Sequence, residues 1–82
     1  MNKNKKIDQL IIKAEKEKSN KNFFIAANLF SQASWNETDS KKNISLTLKS
    51  AECYELAENF NLAAHEYTSI KYFIDNKLDS DF

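Results

Sequence analysis

The sequence predicts an all-α protein, built as two stacked antiparallel helical hairpins with four helices in all. Three observations carry this. Among 82 residues there is no Gly and no Pro, so nothing interrupts helices and the turns must use Asn, Ser and Asp. No segment alternates apolar and polar residues as a half-buried strand does. Finally, a phrase occurs twice: Ala14-Glu15, Asn22-Phe23, Ala26-Ala27 and Phe30 return, always 37 positions later, as Ala51-Glu52, Asn59-Phe60, Ala63-Ala64 and Tyr67. A fixed period of roughly 20–50 residues marks stacked repeats, in which no unit buries its apolar face alone.

The first helix is expected from about Lys5 to Lys18, with Ile7, Leu10, Ile11 and Ala14 forming one buried stripe at i, i+3, i+4, i+7. Ser19 to Asn22 is polar, and Asn22 suits the cap of a second helix over Phe23–Trp35, striped by Phe23, Ala26, Ala27, Phe30 and Ala33. Asn36 to Ser40 is the longer connection, with Asp39 or Ser40 capping a third helix over Lys41–Glu58. Its expected stripe is Ile44, Leu48, Ala51, Tyr54 and Ala57. Asn59 breaks the pattern, and a fourth helix follows over Phe60–Asn76 with Phe60, Ala63, Ala64, Tyr67, Ile70 and Ile74 buried. The chain thus reads as one domain, with units at about 5–36 and 40–76 and a polar tail at 77–82.

The Ala pairs have a physical purpose. Helices approach closely only where side chains are small. In each unit a ring stands one turn before the Ala pair and another one turn after it. This big–small–big order lets neighbouring helices interdigitate.

These residues resemble the tetratricopeptide repeat (TPR), and more particularly its long-unit variant in SNAP-like proteins. Ala14, Phe23, Ala26, Phe30 and Ala33 match that pattern in the first unit, and Ala51, Tyr54, Phe60, Ala63 and Tyr67 in the second. Lys21 and Glu58 stand where the family usually carries Gly between the paired helices, and Glu17 stands opposite Tyr54. The resemblance implies a fragment of a right-handed α–α superhelix whose inner face comes from the first helix of each unit. Glu15, Lys18, Lys49, Glu52 and Glu55 would then line a partner-binding groove. The Lys/Asn set with which chaperone-binding members clamp a terminal carboxylate is not recognisable.

Two units are fewer than the three or more that bury a continuous core. Trp35, Tyr72, Phe73 and Phe82 are therefore candidates to cap an end or contact a second copy. Charge adds a pairing mode. Residues 1–21 hold seven Lys against Asp8, Glu15 and Glu17, a net +4, while residues 52–82 hold seven acids against Lys71 and Lys77, a net −5. Basic first and acidic last helices suit head-to-tail self-association.

Composition narrows the chemistry. All twelve basic residues are Lys, and without Arg a sequence-reading nucleic-acid binder is not expected. One Cys and one His exclude an intramolecular Cys/His zinc site by count. Without Gly there is no phosphate-cradling loop. Cys53 reads as a buried thiol, His65 as a helix-flank residue, and Glu52, Glu55 and Glu58 as a solvated face. No cofactor, no metal and no enzymatic activity are expected. The apolar run Leu10-Ile11-Ile12 is too short for a signal-peptide core or a membrane span, and the lone Cys suits a reducing, cytoplasmic setting. The expected function is that of a small adaptor binding another protein, or an accessory piece stacking onto a larger helical-repeat partner.

Overall fold

The computed structural model describes the backbone of residues 3–80 and the side chains of residues 5–76; Phe82 lies outside the described residues. The described chain is helical, in the order α1 (Lys3–Ser19), α2 (Phe23–Asn36), α3 (Ser40–Leu56) and α4 (Phe60–Ser80). The fourth helix runs past the expected end at Asn76 into the first four residues of the polar tail. With no Pro or Gly, nothing there stops it.

α1 joins α2, and α3 joins α4, through the same turn. The N–H of Asn22 donates to the carbonyl of Glu17 (2.8 Å) and that of Lys21 to Lys18 (2.9 Å). In the second unit Asn59 donates to Tyr54 (2.9 Å) and Glu58 to Glu55 (2.9 Å). These pairs are the 6→1 and 5→2 bonds of a Schellman cap, which requires a left-handed residue at the penultimate position. Lys21 (φ 64°) and Glu58 (φ 62°) take that conformation. They lie 37 positions apart, so the period holds in the backbone as well as in the side chains. Left-handed geometry costs a residue with a Cβ about 1–2 kcal/mol. Both side chains are exposed. Lys21→Gly and Glu58→Gly are accordingly expected to stabilise the fold by about 0.5–1 kcal/mol each. The check is a rise in the thermal midpoint of about 4–8 °C per kcal/mol.

The two asparagines at these turns act differently. Asn59 Oδ1 accepts from the N–H of Leu62 (3.2 Å), a side-chain cap of α4. Asn22 instead turns its amide back to Glu17 Oε1 (2.8 Å). Tyr54 stands where the first unit has Glu17 and offers no carboxylate, so the second asparagine caps forward. Between the units, Asp39 Oδ1 caps α3 by accepting from the N–H of Lys42 (3.0 Å). Asn43 Nδ2 donates to the carbonyl of Ser34 (2.7 Å), fastening the start of α3 to the end of α2.

Each helix packs on the next in sequence. α2 and α3 are antiparallel: Phe24 meets Tyr54 edge-on with ring centroids 5.8 Å apart, Ser50 Oγ donates to the carbonyl of Ala27 (3.0 Å), and Asn43 reaches Ser34. Like helices also lie side by side and parallel. Lys49 on α3 reaches Glu15 on α1 across 34 positions, and Ser31 on α2 reaches Glu66 on α4 across 35. Both offsets fall two to three residues short of the 37-residue period.

The result is a thin slab, 44 × 35 × 12 Å, with one core cluster drawn from all four helices. Ala14, Ala26, Ala27, Ala33, Ala51 and Ala63 are all buried, and Phe30 is the largest fully buried side chain. Of the stripes expected on α1 and α2, Ile7, Ala14, Ala26, Ala27, Phe30 and Ala33 are buried, while Leu10, Ile11 and Phe23 are half-buried. On α3 the buried set is Leu46, Thr47, Ser50, Ala51, Cys53 and Tyr54, while Leu48 is exposed and Ile44 and Ala57 are only half-buried. The reason is that α3 touches α1, α2 and α4, so the face turned to α2 becomes its interior. On α4 only Ala63 of the expected stripe is fully buried; Phe60, Ala64, Tyr67 and Ile74 are exposed. No helix lies on its far side among the described residues.

Candidate functional site

Two surfaces are candidates to receive a partner. The first is a groove of about 460 Å³ between the parallel helices α1 and α3. Ile7, Ile11 and Leu46 give it an apolar floor, and Asp8, Glu37, Lys42 and Lys49 a mixed rim. One turn beyond, Lys49 Nζ lies 3.5 Å from Glu15 Oε2 and 5.7 Å above the Phe30 ring. The ion pair is half exposed and contributes no more than about 1 kcal/mol.

Of the five residues expected to line one groove, Lys49 borders this cavity and Glu15 pairs with it. Lys18, Glu52 and Glu15 are the charges nearest in influence to the Cys53 thiol. Glu55 belongs elsewhere: it accepts from the Tyr67 hydroxyl (2.7 Å), and that bond pushes the phenol up to about 12. Ile7, Asp8, Ile11, Lys42 and Leu46 were missed as groove residues, because a gap between two parallel helices leaves no periodic trace in either one.

Burial pushes the Cys53 thiol above its ordinary pKa; Lys18 opposes the shift, and Glu52 and Glu15 add to it. A fully buried, protonated thiol is a poor nucleophile. In the native state, thiol reagents are expected to label Cys53 only through opening of the helices. Its labelling rate should therefore rise with urea in step with the fraction unfolded, and immediate labelling of the folded chain would contradict this burial. His65 is exposed on α4, in a shallow depression shared with Asn28, Trp35 and Tyr54. Among the described residues no three His, Cys, Asp or Glu are grouped to hold a metal ion. Nor is any helix among them long and apolar enough to cross a membrane.

The second surface is the open end of the stack, the far side of α3 and α4. Ile44 and Leu48 contribute from α3, and Phe60, Ala64, Tyr67 and Ile74 from α4. Shifted back by 37 positions, these are Ile7, Ile11, Phe23, Ala27, Phe30 and Glu37, all buried or half-buried where the second unit packs on the first. The contrast is clearest for the equivalent rings: Phe30 is 0% exposed and Tyr67 37%. Phe60 at the start of α4 reaches 63%. The far side of the stack therefore repeats the surface that the first unit hides, with nothing covering it among the described residues.

The aromatics expected at an end fall in two places. Trp35 (81% exposed) and Tyr72 (69%) are 37-residue equivalents, at matching positions on the parallel helices α2 and α4. Phe73 lies at the border of exposure, one residue from exposed Ile74. Compared with protein-family models, curated proteins and solved structures, the chain matches none of them.

Proposed function

We propose that this chain is a small, non-enzymatic interaction module of TPR-like type, whose stack is the opening of a right-handed α–α superhelix and whose open end binds another protein. One observation carries this reading: the apolar face that the first unit buries against the second is repeated, uncovered, on the second unit. Large uncovered apolar surface is unfavourable in an isolated chain and marks a place of association. The identical turns at Lys21 and Glu58, the buried Ala pair of the first unit and the side-by-side placement of like helices support the repeat assignment. A free, buried Cys53 suits a reducing, cytoplasmic environment.

A second reading rests on the groove between α1 and α3, whose volume and mixed rim would suit an extended peptide. Affinity capture with three baits separates the two: the chain itself, Ala64→Lys at the open end, and Asp8→Lys with Lys42→Glu in the groove. Ala64 is exposed, so its replacement leaves the fold intact, and an unchanged thermal midpoint verifies this. Loss of a captured protein only with Ala64→Lys is the expected result. Retention on that bait and loss on the groove bait would transfer the function to the groove.

A further inference from the structure

We infer that the occupant of the open end is an amphipathic helix of another polypeptide with the chemistry of this chain's own α3: Leu, a small residue and another small residue at i, i+4 and i+7, with a cation just before the first small one. The inference rests on the open end being the binding surface, and adds what it binds. Its basis is the internal precedent. The equivalent face of the first unit is covered by α3, through Leu46, Ser50 and Cys53, all buried. Ser50 and Cys53 are small enough to bring α3 against the Ala27 backbone, where Ser50 Oγ bonds the Ala27 carbonyl at 3.0 Å. Ala64 is the counterpart of Ala27 and holds an exposed small side chain at the same position.

Charge complementarity points the same way. Lys49 is held in the first unit by Glu15 at 3.5 Å and by the Phe30 ring at 5.7 Å. The counterparts of these two groups are Glu52 and Tyr67. Glu52 is exposed and forms no ion pair among the described residues, so the open end holds the receiving half of a Lys49-type contact.

The same comparison disfavours a second copy. A head-to-tail copy would offer α1, in which Lys13 and Lys16 stand 37 positions before Ser50 and Cys53. It would thereby press two ammonium groups into sites that α3 fills with a small hydroxyl and a thiol, a large desolvation cost. Tail-to-tail pairing would bring Glu52 and Glu55 of one copy near those of the other, and like charges across an interface are repulsive.

The probe is a synthetic peptide of residues 38–59, which is α3 with its caps, titrated into the isotope-labelled full chain and followed by NMR. Shift changes at Ile44, Leu48, Ala64, Tyr67 and Ile74 are expected. Binding should weaken at least about tenfold with Ala64→Lys in the chain, and weaken also with Lys49→Glu in the peptide. Because a free peptide helix is marginal, the same segment is also appended to the chain's C-terminus by a flexible Gly/Ser linker, which supplies it at millimolar effective concentration. The thermal midpoint should then rise, and fall back when Ala64→Lys is introduced. Two results would overturn the inference: no response of the open-end residues to peptide or tether, or concentration-dependent shifts of those residues in the chain alone, which would make the occupant a second copy. Capture of a protein partner lost with Ala64→Lys, together with a silent peptide, would leave the binding surface standing and discard only the chemistry given to its occupant.

Discussion

Phe30→Ala is expected to cost about 3–5 kcal/mol, whereas Tyr67→Ala, at the equivalent position of the second unit, should cost about 1 kcal/mol. Phe30 is the largest fully buried side chain and lies where α2 meets α3 beneath Lys49, so truncation leaves a cavity that rigid helices cannot close. Tyr67 is partly wet, and its ring loses little on truncation beyond the hydrogen bond to Glu55. At roughly 0.05–0.15 kcal/mol per residue, the chain's total stability is about 4–12 kcal/mol, and a thin slab belongs near the lower end. Phe30→Ala should therefore leave the protein largely unfolded at room temperature, and Tyr67→Ala should leave it folded. Urea unfolding followed by circular dichroism distinguishes them; equal losses would mean that the open end is covered in solution.

The second contrast runs in the opposite direction, from small to large. Ala27→Leu should destabilise by about 1–3 kcal/mol, because three further carbons must enter a contact in which the Ala27 carbonyl already receives a hydrogen bond from Ser50. Ala64→Leu should change stability by no more than about 0.5 kcal/mol, since Ala64 is exposed and Leu is nearly as good a helix former as Ala. Both stand second in an Ala pair on the second helix of their unit. Thermal midpoints of the two variants decide the matter, and a large loss with Ala64→Leu would place unseen structure against α4.

Both pairs show how far the sequence could be read. On α1 and α2 the apolar stripes are buried or half-buried throughout, because those stripes face helices that the chain itself supplies. On α3 the reading by period chose Ile44 and Leu48, the counterparts of Ile7 and Ile11. Ala51 and Tyr54 are buried as expected, but the rest of the burial went to Leu46, Thr47, Ser50 and Cys53, because the face packed on α2 carries small polar residues whose hydroxyls find carbonyl partners. A small hydroxyl inside a helix gives no apolar signal, although it suits close helix contact better than Leu does. The groove between α1 and α3 was hidden for a related reason. Its walls belong to helices more than 20 positions apart, and the pairing of Glu15 with Lys49 across them is set by packing.

What the sequence determined by itself is local and repeated: four helices, the Asp39 cap of the third, the 37-residue period, and alanine pairs between rings. Equal spacing makes equal backbone even where the residues differ, as at the left-handed turns of Lys21 and Glu58. Tertiary structure alone decided which copy of each feature is buried. Burial depends on having a neighbour, and α2 has one on its far side while α4 has none among the described residues. The same Ala pair and ring therefore form a core in the first unit and a surface in the second.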